Sequence, residues 1–171
     1  QKKGFTTTIP EIHDGTDTQI LLEGMVHPLM TDKMQPAEVV PNNFVRSPEV
    51  NVTVISGPNA NAKTVFEDSI IYVHLMGQAG WDVLARSARI TPVDNVYTQR
   101  IQRGDIIVGE SRHTHELGRT RYIAEHATPR SLVVIDEPFS GTKPEDGATL
   151  ANCLITAMVA VGARTLLSSH Y

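Results

Sequence analysis

Leu132-Val133-Val134-Ile135-Asp136-Glu137 constrains the fold of this chain more than any other stretch. Four consecutive aliphatic side chains leave no polar face, so a strand built from them must be covered on both sides. Strands of that kind belong to parallel sheets layered by helices, and their carboxyl ends are where such folds place chemistry. The surrounding sequence supplies the required alternation. A β-rich run over 50–56 meets Gly57-Pro58, and 64–79 reads as a helix with apolar positions at Val65, Ile70, Ile71, Leu75 and Met76. Short strands are expected at 88–90 and 95–100, a loop at 104–111 and a second helix at 112–126. Beyond the two acids come a turn over 141–146 and a helix over 148–161 with Leu150, Leu154, Ile155, Met158 and Val159 inward. Gly162 is placed to stop that helix, and 164–167 reads as another buried strand. The expected class is therefore α/β with a mostly parallel sheet.

The first fifty residues are less regular. They hold Pro10, Pro28, Pro36, Pro41 and Pro48, with short strands expected at 6–9 and 20–23. A chain of 171 residues with 40% hydrophobic side chains is long enough for one good core, so a single domain is expected. Within it, 1–50 reads as a β-rich lead-in and 51–171 as the main body. The 15 basic and 19 acidic residues give a net charge of −4, which argues against nucleic-acid binding through a cationic face. A lone cysteine, Cys153, excludes an internal disulfide and a Cys-rich zinc site, and reads as an inert thiol on an apolar helix face. No membrane-spanning run and no signal peptide is visible, so a soluble protein of a reducing, intracellular compartment is expected. The strand over 164–167 would ordinarily continue into a helix, so the main body reads as truncated at its C-terminal side.

Gly57-Pro58-Asn59-Ala60-Asn61-Ala62-Lys63-Thr64 follows the first buried strand and opens a helix. It fits the phosphate-binding pattern G-x-x-x-x-G-K-[ST] except that Ala62 takes the place of the second glycine. In that pattern backbone N–H groups and the helix N-terminus hold phosphate oxygens, the lysine neutralises the outer phosphates and the hydroxyl binds Mg²⁺. Lys63 and Thr64 are the candidates for those roles. A Cβ at Ala62 costs little if φ is negative. If the strand ending at Asp136 lies beside the loop strand, Asp136 reaches the Mg²⁺ shell and Glu137 is poised to activate water. Gly109-Glu110-Ser111, ahead of the 112–126 helix, is a second anion cradle on a separate loop.

In this order the motifs resemble the ATPase domain of the MutS mismatch-repair family, within the ABC-type ATPases. The resemblance runs from about Leu22 to Tyr171. Val26-His27-Pro28-Leu29 is similar to the family's Arg-His-Pro element, Val40-Pro41-Asn42 to its Pro-Asn element, and Pro92 with Asp94 to its Gly-Pro-Ile-Asp strand. Gly109 and Ser111 match the Ser-Gly-x-Ser-Thr-Phe signature, with Glu116 at the glutamate of the helix behind it. Asp136-Glu137, Gly141-Thr142, Asp146-Gly147, Leu150-Ala151 and Ser169-His170-Tyr171 complete the pattern.

The resemblance implies a three-layer P-loop ATPase of ABC type, mostly parallel, with an N-terminal antiparallel β portion. It implies ATP or ADP held by Gly57 to Thr64, Mg²⁺ on Thr64 and Asp136, Glu137 activating water, and His170 sensing the γ-phosphate. Val39 stands where an aromatic side chain stacks on adenine. Gly109 and Ser111 would serve the nucleotide of a partner subunit, in a homodimer or with a MutS-like partner. Mismatched or branched DNA would be handled by domains outside this chain, in the bacterial cytoplasm near the nucleoid or in a eukaryotic nucleus.

The departures mark a divergent member. Ala60, Asn61 and Ala62 replace Met-Gly-Gly, Arg112 and His113 replace Thr-Phe, and Pro138-Phe139-Ser140 replaces a stretch with Gly and Arg. They leave open a catalytically weak pseudo-ATPase acting as a nucleotide-gated dimerisation module. A transporter or chromosome-maintenance ATPase is disfavoured, since Leu-Ser-Gly-Gly-Gln does not occur.

Other residues read more plainly. His113 and His115 point about 200° apart on a helix and do not converge on one ion. His13, His27, His74 and His126 read as solvated or core-edge residues, Trp81 with Tyr97 and Tyr122 as a packing cluster. Arg100, Arg103, Arg112, Arg119 and Arg121 read as a solvated basic face, with contact to a partner's phosphate as the alternative.

Overall fold

A computed structural model describes residues 4–13, 15, 19–57, 62–100 and 112–169, with all their side chains except those of 112 and 113. The expected loop at 104–111 lies outside them. The chain divides into two compact units, residues 1–50 with 64–93, and residues 51–63 with 94–171.

In the first unit, β1 (Glu11–Ile12), β2 (Ile20–Met25), β3 (Asn42–Arg46) and β5 (Ser87–Ile90) form a mixed sheet in the order β1-β5-β2-β3. Strand β2 runs antiparallel to both neighbours and sends Ile20, Leu22 and Met25 into the core, the period-2 pattern of a sheet with one buried face. Its register shifts between Leu22 and Met25, where Gly24 sits at φ 61°, a conformation that a side chain disfavours. The expected strand at 6–9 is not formed. Thr8 makes an isolated bridge to Val83, and regular pairing starts only at Glu11. Pro10 lies between them and has no N–H to donate, which breaks the segment in two. A short helix α1 (Met30–Lys33) and β3 are further elements that the sequence reading did not contain. Helix α2 (Lys63–Gln78) supplies Ile70, Ile71 and Val73 to this core, and His74 is wholly buried, not a core-edge residue. Leu75, expected inward, is half exposed.

In the second unit, β4 (Val52–Ser56), β6 (Val96–Gln99), β7 (Leu132–Asp136) and β8 (Arg164–Ser169) form a wholly parallel sheet in the order β4-β8-β7-β6. All four apolar residues of β7 are fully buried, as a two-sided strand requires. Helices α3 (Arg112–His126) and α4 (Pro144–Val161) pack on this sheet through Ile123, Leu154 and Met158, which meet Val133, Ile135 and Leu167. The α/β class with a parallel sheet and a second, largely antiparallel one thus holds, in the manner of a P-loop fold.

Helix α4 starts four residues ahead of the expected 148. Pro144 occupies its first turn, where a missing N–H costs nothing, so the helix absorbs part of the expected turn. Gly162 ends it at φ 78°, as expected. Cys153 is exposed rather than buried, because the inward stripe runs through Ala151, Leu154 and Met158. Val159 is likewise half exposed. Tyr97 and Tyr122 do pack edge to face, at 6.4 Å between centroids, whereas Trp81 is 65% exposed.

Asp94 ties the start of β7 to the segment ahead of it. Its carboxylate accepts hydrogen bonds from the hydroxyls of Thr128 and Ser131. Burial alone would raise its pKa, but those bonds and nearby backbone N–H groups outweigh it and hold the carboxyl below the usual range. A depressed folded-state pKa contributes stability above the unfolded value of about 3.9, which disappears as pH falls through the folded value. Asp94→Ala is therefore expected to cost about 1 kcal/mol at pH 7, given the solvent exposure of the site, and nearly nothing at about pH 2. Denaturant unfolding at both pH values measures the difference.

Candidate functional site

Parallel pairing puts the carboxyl ends of β4, β8 and β7 on one edge, but β7 is not beside the loop strand as expected: β8 lies between them and pairs with both. Gly57 follows β4, Asp136 and Glu137 close β7, and Ser168 pairs in register with Asp136. That edge is the usual ligand side of an open α/β sheet.

Lys63 is the first residue of α2 and is 8% exposed. Its Nζ donates to the Gly57 carbonyl at 2.7 Å and lies 3.3 Å from Glu137 Oε1. A shielded ammonium beside a carboxylate is a charge pair that polyanionic phosphate would compete to enter. Asp136 is half buried, and its Oδ1 accepts from the Ser168 hydroxyl at 2.7 Å. The Glu137 N–H is directed at the Ser168 carbonyl at 3.2 Å and at Ser168 Oγ at 3.3 Å. Ser168 therefore orients both acids, and only the β7–β8 register reveals it.

The backbone around these acids is unusual. Ala62, Glu137 and Phe139 all have positive φ, at 58°, 49° and 59°. A side chain in this region costs on the order of 1 kcal/mol. The loop alanine is thus not the harmless substitution that a negative φ would make it, and the conformation explains why the motif has glycine there. Phe139 tolerates the strain because its ring is 1% exposed, within the α3–α4–sheet core, and its N–H donates to Glu116 Oε1.

Among the expected site residues, Gly57, Lys63, Asp136 and Glu137 converge on this edge. Thr64 is the second residue of α2 and is exposed. Val39 lies in the first unit, where it lines a cavity of about 120 Å³ with Phe5, Pro36 and Arg86. Pro58, Asn59, Ala60, Asn61, Gly109, Ser111 and His170 lie outside the described residues. No cluster of three metal-ligating side chains occurs among the described residues. The oxygen donors Thr64 and Asp136 suit a hard cation such as Mg²⁺, which takes few protein ligands and keeps waters and phosphate oxygens.

The family model for MutS domain V matches residues 53–171, which contain the whole parallel sheet and both acids apart from the first residue of β4. The chain belongs to the MutS family. Over 159 residues it is 30% identical to the DNA mismatch repair protein MutS of Oceanobacillus iheyensis, covering 92% of this chain and 18% of that protein. The corresponding MutS of Rhodopirellula baltica is 35% identical over 91% of this chain and 18% of its own length. The DNA mismatch repair protein msh3 of Aspergillus terreus is 35% identical over 95% of this chain and 14% of its own length. The chain thus spans less than a fifth of the MutS-family relatives it matches. No helix among its described residues is long and apolar enough to cross a membrane.

Proposed function

We propose that this MutS-family domain binds and hydrolyses ATP, and that composite sites in a dimer couple the nucleotide to DNA handling by parts of the protein outside this chain. The observation that carries the reading is the Lys63–Glu137 pair at the carboxyl edge of the parallel sheet, at the start of α2. An ammonium stabilised there by a carboxylate is a phosphate site whose charge is balanced internally.

In this reading the segment 57–64 and the Lys63 ammonium hold the β- and γ-phosphates. Thr64 and Asp136 would hold Mg²⁺, which supplies charge neutralisation on the phosphates. Glu137, released from Lys63 by the phosphates, orients a water and takes its proton as the water oxygen bonds to the γ-phosphorus and the bond from that phosphorus to the β–γ bridging oxygen breaks, leaving ADP and phosphate. Ser168 keeps Asp136 and Glu137 in place through one hydroxyl and one carbonyl. His170 is assigned to the γ-phosphate, Gly109 and Ser111 to the nucleotide of a partner subunit, and Val39 to the edge of the base. Residues 1–50 serve as the lead-in and 51–171 as the ATPase body. The setting is the bacterial cytoplasm or a nucleus.

Lys63→Ala is expected to weaken Mg²⁺–ATP binding at least about tenfold, or ~1.5–3 kcal/mol, by removing the cation that faces the phosphates. Isothermal titration of both proteins measures this. Absence of binding by the wild type at millimolar nucleotide would overturn the reading.

A second reading is favoured by the positive φ at Ala62. Strain in the phosphate loop suits a domain that binds nucleotide and changes its association with little turnover. It predicts ATP-dependent dimerisation, measured by sedimentation velocity, with hydrolysis indistinguishable from a Glu137→Gln variant.

A further inference from the structure

The turn that carries Glu137 is held from three directions. The Phe139 ring anchors it in the core below, Ser168 on β8 binds the Glu137 N–H, and Glu116 on α3 binds the Phe139 N–H at 2.5 Å. The first two holds belong to the sheet and its packing. The third comes from a separate helix, which is itself fastened to β6 by Arg119 on the Thr98 carbonyl and by Thr120 on the Gln99 side chain. Glu137 and Phe139 both sit in left-handed backbone, two residues apart. Such a turn relaxes when a hold is removed, because its conformation is imposed by its surroundings and not preferred by its residues.

We propose that Glu116 is a positioning residue for Glu137, acting through the Phe139 amide. A carboxylate acceptor makes a stronger hydrogen bond than a carbonyl and fixes the amide plane between Pro138 and Phe139. That plane sets where the Glu137 side chain leaves the backbone, and so whether its carboxylate stays within reach of Lys63 and of a phosphate-bound water. A shift of about 1 Å at such a group costs on the order of a hundredfold in rate. The proposal rests on the hydrolytic role of Glu137 argued above.

The test uses the intact protein with Glu116→Ala, Glu116→Gln and Glu116→Asp. Four quantities are read: kcat and KM for Mg²⁺–ATP, nucleotide affinity by calorimetry, and hydrogen exchange at the Phe139 amide. Glu116→Ala should lower kcat about ten- to a hundredfold with KM within about threefold. Its Phe139 amide should exchange at least about tenfold faster, since a hydrogen bond that closes it is gone. Glu116→Gln retains an acceptor oxygen and should restore most of both effects. Glu116→Asp keeps the charge and solubility but falls short by one methylene, so it should resemble Glu116→Ala even if the alanine variant folds poorly. Wild-type kcat in a folded Glu116→Ala or Glu116→Asp protein would overturn the proposal alone. So would a loss of kcat with the Phe139 amide still protected. A wild type that binds ATP without any turnover would overturn the role of Glu137 and this proposal together.

Discussion

Glu137→Gln should lower ATP turnover about a hundredfold or more while raising nucleotide affinity a few-fold. The first effect follows from removing the proton acceptor while keeping size and hydrogen-bonding reach. The second follows from the ion pair, in which the Glu137 carboxylate lies 3.3 Å from Lys63 with only 16% of its side chain exposed. Phosphate oxygens and that carboxylate compete for one ammonium, so neutralising the carboxylate removes the competitor. A partly shielded pair of this kind is worth about 1 kcal/mol, or about fivefold in affinity. The same change leaves the Lys63 charge less well balanced without nucleotide, so the variant should melt earlier than wild type when empty and regain stability on adding ATP. Single-turnover hydrolysis, calorimetry and thermal melting with and without Mg²⁺–ATP separate these effects. Unchanged turnover would favour the binding-only reading, and unchanged affinity would show that the ion pair does not oppose nucleotide.

Phe139→Ala should destabilise the protein by about 3–5 kcal/mol, the range for truncating a fully buried phenylalanine. Its ring is 1% exposed and packs with Ile123, Val133, Ile135, Leu154 and Met158. The informative comparison is with glycine. At an ordinary position glycine is worse than alanine by up to about 1 kcal/mol, through the entropy of the unfolded chain. At φ 59° alanine keeps the backbone strain and glycine relieves it, so Phe139→Gly should be no less stable than Phe139→Ala. Urea unfolding of the three proteins reads both quantities. A loss below about 1 kcal/mol for alanine would mean that the ring contributes little to fixing the turn.

These two residues also show where reading the sequence succeeds. The strand ending in Asp136-Glu137 was legible because four consecutive aliphatics admit only a two-sided strand, but its place was not: β8 separates it from the loop strand. Fold class follows from local pattern and the family from the order of the motifs, whereas the Lys63–Glu137 ion pair follows from neither. Ser168 was not legible, because nothing marks one serine of β8 until the register sets it opposite Asp136. Glu116 could be matched to a motif, but its contact depends on how a turn with two left-handed residues folds back toward α3. The sign of φ at Ala62 was invisible for the same reason: composition states what a side chain is, not which backbone it must tolerate. Strand β3 was missed because it opens on Asn42-Asn43, residues that read as a turn, and Asn43 uses its side chain to accept the Gly24 N–H at the bulge. Helix α4 began early because Pro144, a breaker inside a helix, is favourable in its first turn.

The order β4-β8-β7-β6 has a consequence for how the chain acquires its charge pair during synthesis. Strands β4 and β7 share no hydrogen bonds; each is joined to the other only through β8, whose first residue is Arg164. On a ribosome, the lysine side and the carboxylate side of the edge are both made well before the strand that brings them into register. Until it emerges, two apolar strands present unpaired edges, the condition under which nascent chains need chaperones or associate wrongly. Inserting β8, the last of the described strands to be made, between two others is a high-contact-order step and therefore a slow one. Arrest of translation just before residue 164 should accordingly leave a chain that has every described charged group of the edge and still cannot assemble it.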